Sequence, residues 1–323
     1  MKTSIWRTAF IALCTATLPV LAQAQNAWPT KVIRFIVPFA AGSFTDTAAR
    51  LIGNELTAQL GLTVIVENKG GAGSTLGTDL VAKAPPDGYT FLLTDNSFAV
   101  SSALYEKLPY APKDLVQVSL VADAPAVLVA RLNLPTKTLK DTMRVAQSDP
   151  SKFTFGSGGQ GSSAHLAMES FLMQNNSQMV HVPFKGIAAA VVDVAADRVD
   201  MAIGSVGSTS TYIRDGRLLG LAVTGDARQP LFPNVPTFAE AGYPNYKMKY
   251  WFGVMAPAGT PPAILDRMQK EIAKAVNAPK VREVFTGGGV RPVSTSSAAF
   301  ATLVKDETAS WSEIIKRKDI KPQ

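Results

Sequence analysis

Two histidines, a single cysteine and two loops rich in glycine and serine bound the chemistry open to this chain. His165 follows Ser157 and Ser163 closely, and a serine beside a histidine is the minimal set for nucleophilic hydrolysis. No G-x-S-x-G elbow accompanies it, so a secreted serine hydrolase using Ser157 or Ser163 with His165 is kept only as an alternative. His165 falls in the first turn of a predicted helix, where the dipole disfavours the imidazolium. A neutral His165 there can donate one hydrogen bond to a ligand carboxylate; a structural histidine is the other reading. His181 alternates with apolar strand residues and reads as packing. The run Gly156-Ser157-Gly158-Gly159-Gln160-Gly161 spells GxGxxG, but the acidic partner a dinucleotide needs about 20 residues on is missing. The same loop works better as an anion site, with Ser162 and Ser163 capping a helix while the glycines expose backbone N–H groups. No His, Cys and carboxylate cluster stands at metal-ligand spacing, so neither metal nor cofactor is expected. Nothing points to a paired-carboxylate glycosidase.

A second anion site is legible nearer the N-terminus. Val32–Val37 is a β-branched apolar run, and Pro38 stops it because proline cannot donate to a sheet ladder. Ala40, Ala41 and Gly42 are small enough for another molecule to approach the backbone. Ser43 to Asp46 then forms a capping box, and Ala48, Ile52 and Leu56 set one buried helical face that Gly61 ends. The first N–H groups of such a helix lack internal partners and carry the positive end of the dipole. Asp46 is either an acid for chemistry or simply part of the cap. Phe44 interrupts the small polar residues and is expected to face a ligand.

The elements that must position these loops alternate β and α. Leu62–Val66, Tyr89–Leu93, Phe153–Phe155, Met179–Phe184, Val199–Ile203 and Leu218–Val223 read as strands, with helices over Thr75–Lys83, Ala164–Gln174 and Ile187–Ala196. Thr94-Asp95-Asn96-Ser97 reads as a polar loop after a strand. Such grammar predicts an α/β chain with parallel strands covered by helices. Val116–Ala130 carries no helix and reads as a crossing into a second domain, and Tyr246–Met255 as a return. Leu265, Met268, Ile272 and Val276 share one face of the helix that follows. Two domains joined by two crossings imply a cleft bordered by loops at strand C-termini. The expected division is a signal peptide over 1–24, a first domain over 25–122 and 251–323, and a second over 123–250.

Lys2 and Arg7, the apolar run Ala9–Leu21 and the A-x-A site Ala22–Ala24 form the expected cleavable export signal. Leu13 before Cys14 argues against lipid attachment, and the mature chain is then cysteine-free. The formal charge is +7, with the basic residues scattered among acids and no basic run, which argues against nucleic-acid binding. No other apolar run is long enough to cross a bilayer.

The stretches VPFAAGSFTDTAAR, VENKGGAGSTLGTDLVAKAPPDGYT, GSGGQGSSAHLAMESF and VPFKGIAAAVVDVAADRVDMAI, with LAVTG near Leu221 and GVMAPAGTP near Gly253, are similar to the periplasmic receptors of tripartite tricarboxylate transporters, the Bug receptors. The similarity runs from Trp28 to about Lys316. It implies a two-domain type II periplasmic-binding-protein fold that closes on a small carboxylate; an aliphatic dicarboxylate is one expectation, and Phe44, as an aromatic wall where the family is usually glycine-rich, sets an aromatic carboxylate beside it. It implies delivery to integral-membrane permease subunits from the periplasm, by a non-enzymatic monomer; coupling to a sensor kinase is the alternative. Residues matching the family's ligand loops are Phe39, Ala41, Gly42, Ser43, Phe44, Thr45 and Asp46 in the first loop and Ser157, Gly158, Gly161, Ser163 and His165 opposite. Lys185, Gly186 and Ser205 match supporting segments, and Thr94 and Asn96 a further cleft loop. Two departures stand out. Ser43 and Phe44 occupy a stretch that is usually glycine-rich, and Ala189 replaces a usual proline, losing about 0.4–1 kcal/mol of pre-organisation.

Overall fold

Ser43 begins the architecture at the local level: its hydroxyl accepts from the Asp46 amide at 3.1 Å, and Gly61, at φ 67°, ends the helix so opened. The computed structural model describes residues 28–321, so the expected signal segment lies outside the described residues. Along the chain run β1 (Ile33–Val37), α1 (Phe44–Leu60), β2 (Val64–Asn68), α2 (Thr75–Ala82), β3 (Thr90–Asp95) and α3 (Ser97–Leu104). Next come β4 (Leu115–Ala130), α4 (Leu139–Ser148), β5 (Thr154–Ser157), α5 (Ser163–Gln174), β6 (Val180–Pro183), α6 (Ile187–Ala195), β7 (Met201–Ser205), α7 (Val206–Arg214) and β8 (Leu219–Val223). The chain finishes with β9 (Lys249–Pro257), α8 (Pro262–Asn277), α9 (Pro279–Gly287), β10 (Arg291–Pro292) and α10 (Ser297–Lys318).

The strands join in the order β2-β1-β3-β9-β4-β7-β5-β6, with β8 and β10 also on β4. β1 pairs in parallel with β2 and β3, and β5 with β6 and β7. β9, however, is antiparallel to both β3 and β4, so the sheet is mixed and not all-parallel as the α/β grammar predicts. The physical reason is connectivity: β9 comes back from the far half and enters the near half from the opposite direction. The 16-residue β4 binds both halves, pairing with β9 through Leu115–Pro125 and with β7 and β8 through Ala126–Ala130. Its near-continuous burial explains why it reads as one apolar run. Three helices escape the sequence reading: α3, α4 and α7. In α3, SFAVSSAL is buried on most sides and shows no single apolar stripe for periodicity to detect.

Gly77 on α2 fixes how closely that helix lies on the turn after β1. A Cβ there would sit 2.7 Å from the Lys69 carbonyl oxygen and 2.9 Å from Pro38 Cα, both backbone atoms that have no rotamer to escape into. Gly77→Ala is therefore expected to cost about 2–3 kcal/mol despite a helix-propensity gain of about 1 kcal/mol. A urea midpoint equal to that of the parent would show that the turn yields freely.

Candidate functional site

Between the two halves of the sheet lies a cavity of about 200 Å³, and several helices start on it. Phe39, Ala40, Ala41, Ser43, Phe44 and Thr45 line it from the β1–α1 turn, and Gly158, Ser162, Ser163 and Ala164 from the β5–α5 turn. Lys185 and Gly186 lead into Ile187, Ala188 and Ala189, so the whole first turn of α6 faces it. Gly204, Ser205 and Ser208 border it at the start of α7, and Asp95, Ser97, Tyr250 and Phe252 close it.

These helix starts differ in how many amides remain free. Neither α6 nor α7 has a side-chain cap at its N-cap residue, Gly186 or Ser205, and the Ser205 hydroxyl turns to Ser208 at 3.0 Å instead. In α1 the Ser43 hydroxyl takes the Asp46 amide. In α5 the Ser162 hydroxyl accepts from His165 N, and the Ser163 amide donates to the Ser97 hydroxyl at 3.1 Å. That last bond crosses the cleft, so one amide of the expected β5–α5 anion loop already serves the joint between the halves. Of the two uncapped starts, that of α6 lines the cavity along its whole first turn, and the sequence reading names it only through Lys185 and Gly186.

Of the expected site residues, Phe39, Ala41, Ser43, Phe44, Thr45, Gly158, Ser163, Lys185, Gly186 and Ser205 border the cavity. Gly42, Asp46, Thr94, Asn96, Ser157, Gly161 and His165 do not. The Asp46 carboxylate is spent inside its own loop: it accepts from Gly42 N at 3.0 Å and Asn68 Nδ2 at 3.0 Å, and pairs with Arg50 at 2.9 Å. Burial opposes its ionisation, but those donors outweigh burial and hold it below the ordinary aspartate range. Its capping role is the structural one.

Thr94 and Asn96 point to the other side of β3. Asn96 donates to the Lys249 carbonyl at 3.1 Å and to Glu307 at 2.6 Å, and accepts from the Trp251 amide at 2.9 Å. Asp95, which lies between them, faces the cavity. It is among the lining residues that the expected site leaves out, with Ser97, Tyr250 and Phe252, and no local signal marks which side of β3 meets the cavity.

His165 is 4 % exposed and stacks on His181 with centroids 4.0 Å apart. Its Nδ1 accepts from the Gly161 amide at 3.3 Å. Burial, then the neighbouring His181, pushes it down to about 3, so burial keeps it neutral. Ser157 meets His181 Nε2 at 2.6 Å, while its hydroxyl also accepts from Gly159 N. The serine–histidine contact therefore joins a different histidine from the expected one. Ser157 itself is fully buried beside the cavity wall. Phe44 is 8 % exposed, borders the cavity and packs on Phe252 at 4.5 Å and Phe285 at 5.4 Å, so it is both wall and core.

Asp95 is raised to about 6 by burial, against which the Ser97 amide and hydroxyl work. With the folded value above the unfolded one, the native state holds its proton longer. The penalty is absent below about pH 4, grows as pH rises and is complete above about 6. Asp95→Asn is thus expected to stabilise the unliganded protein by about 2–3 kcal/mol at pH 7.5 and by almost nothing at pH 4. Equal urea midpoints at both pH values would contradict this.

Among the described residues no His, Cys, Asp and Glu group could hold a metal, and no helix is long and apolar enough to cross a membrane. Residues 48–320 match the family described as the tripartite tricarboxylate transporter family receptor. Protein BugT of Bordetella pertussis is 36 % identical over 315 residues, which cover 97 % of this chain and 96 % of BugT. The solved structure of the periplasmic binding protein BugD superposes with a TM-score of 0.86 at 32 % identity, covering 92 % of this chain and all of that one. MatC from Rhodopseudomonas palustris, solved with bound malate, does so at 0.85 and 29 %, covering 89 % of this chain and all of MatC. The α/β fold with two crossing strands is that of these periplasmic binding proteins, and this chain belongs to the tripartite tricarboxylate transporter receptor family.

Proposed function

We propose that the chain is a periplasmic receptor that captures a small carboxylate, aliphatic or aromatic, in this cavity and hands it to the membrane permease of a tripartite transporter. The observation that carries the reading is the uncapped first turn of α6 opening, together with the starts of α1 and α7, onto one enclosed space. Unpartnered amides at a helix start favour an anion, and charge-assisted hydrogen bonds contribute about 1.5–3 kcal/mol each. A handful of them is enough for micromolar affinity. Phe39, Phe44, Tyr250, Phe252 and Ile187 give the organic body an apolar enclosure. Family membership and the malate held by MatC support the ligand class and the permease partner.

Calorimetric titration with a panel of aliphatic and aromatic mono- and dicarboxylates tests the capture. One-to-one binding at micromolar affinity or better is expected for at least one acid. Absence of heat and of any thermal shift across the panel would refute it.

A further inference from the structure

We propose that the occupant of the cavity is a small monocarboxylate that presents an N–H or O–H donor to Asp95 at its other end, in preference to a dicarboxylate. The assignment rests on the receptor reading above and narrows it to a ligand class.

The cavity is chemically lopsided. On the side of α6 and α7 it offers backbone amides, with Lys185, the one cationic residue among the described lining residues, in the loop before α6. At the end of β3 it offers Asp95, 9 % exposed and part of the cavity lining. Oδ1 of Asp95 accepts from the Ser97 amide at 2.8 Å. Among the described residues no Lys, Arg or His is ion-paired with it. Lys249 and Arg291, which could neutralise an acid on this part of the sheet, are both paired with Asp123. Behind Asp95, across Asn96, stands a second buried carboxyl, Glu307, whose field acts in the same direction. The Tyr250 hydroxyl on the same wall is turned towards the Ile203 carbonyl, at 3.4 Å.

A ligand carboxylate therefore suits the amide end and is repelled at the Asp95 end. A dicarboxylate must bring a proton with it, to be shared between its second carboxylate and Asp95, whereas an amide, ammonium or hydroxyl group meets the ionised acid directly. A buried acceptor built to receive a donor discriminates strongly against an isostere that cannot supply one.

Isosteric pairs test this: pentanedioate against 5-amino-5-oxopentanoate, and benzene-1,3-dicarboxylate against 3-carbamoylbenzoate, titrated calorimetrically between pH 6.5 and 8. In whichever pair binds, the monoamide is expected to bind at least tenfold tighter at pH 7.5. Its affinity should stay flat with pH, while that of the dicarboxylate falls towards tenfold per pH unit, the signature of one proton taken up on binding. His165 and His181, pushed down to about 3 and about 4 by burial, stay neutral throughout this range. Asp95→Asn, whose side-chain amide can donate, should abolish the slope and reverse the order within each pair. A dicarboxylate that matches its monoamide with no pH slope would overturn the assignment, as would a slope that persists in Asp95→Asn and so belongs to Glu307. If the variant does not fold, the slope of the unaltered protein decides. Silence from both pairs also overturns it, while the receptor reading is judged separately by the wider panel.

Discussion

Replacing Glu307 with alanine is expected to lower the stability of the protein by about 4 kcal/mol and its melting temperature by about 10 °C. Glu307, on α10, accepts from three donors at once: Asn96 Nδ2 at 2.6 Å, Trp311 Nε1 at 3.0 Å, and the Trp251 indole N–H. Trp251 and Trp311 are 3 % and 5 % exposed, so none of these donors can turn to water when the acceptor goes. Each orphaned buried donor costs about 1–3 kcal/mol, and the vacated volume adds a cavity cost. Against this stands the relief of a buried carboxyl, which burial holds above its ordinary range, with Asp95 adding to the effect. The donors win, because three losses face one gain. Glu307→Gln keeps the shape and one acceptor, and should cost about 1–2 kcal/mol. Melting curves at pH 7 give the comparison; an alanine variant within 2 °C of the parent would mean that the network contributes nothing.

The same residues show how much of the fold is encoded locally in the amino-acid sequence. The β1–α1 turn was legible because its signal is local: Ser43 and Asp46 stand at capping spacing, and Gly61 takes a left-handed conformation at the helix end. At the end of β3 the two-residue alternation was equally legible, but not which side would be the cavity. That is decided by β9, which pairs Thr94 with Gly253 and Asp95 with Phe252 from 150 residues and more away in sequence. Asn96 consequently serves Glu307 and Trp251 while Asp95 meets the open space. His165 fails for a rotational reason. Ser163 and Ala164 open α5 on the cavity side, and the next residue, about 100° further round the helix, lands on Phe155 and His181. Placing a residue in a first turn does not say which way the turn faces. The free amides of α6 lay beyond sequence reading for a similar reason: Gly186 marks the helix start, but an uncapped start matters only once it meets a cavity.

A side chain at position 207 is expected to weaken capture in proportion to its size while leaving the fold standing. Gly207 is the second residue of α7, and a Cβ there would sit 2.6 Å from Cδ2 of Phe44 and 3.0 Å from Cγ2 of Val290. Phe44 cannot swing aside, because its ring is held between Phe252 and Phe285. The clash joins α7, which follows β7 in the far half of the sheet, to α1 in the near half, so the cheapest escape is for the two to part at the base of the cavity. The starts of α1 and α7 then no longer reach the same ligand. Helical backbone at this position tolerates a Cβ, and propensity alone would slightly favour one. Gly207→Val should therefore weaken binding of the tightest acid in the panel at least a hundredfold, about 2.7 kcal/mol, and Gly207→Ala about tenfold. The unliganded melting temperature should change by only a few degrees for both. A graded loss of affinity at nearly constant stability would identify Gly207 as the clearance that closure needs. A valine variant that binds like the parent would mean that Phe44 gives way after all and that its ring does not set the distance between the halves.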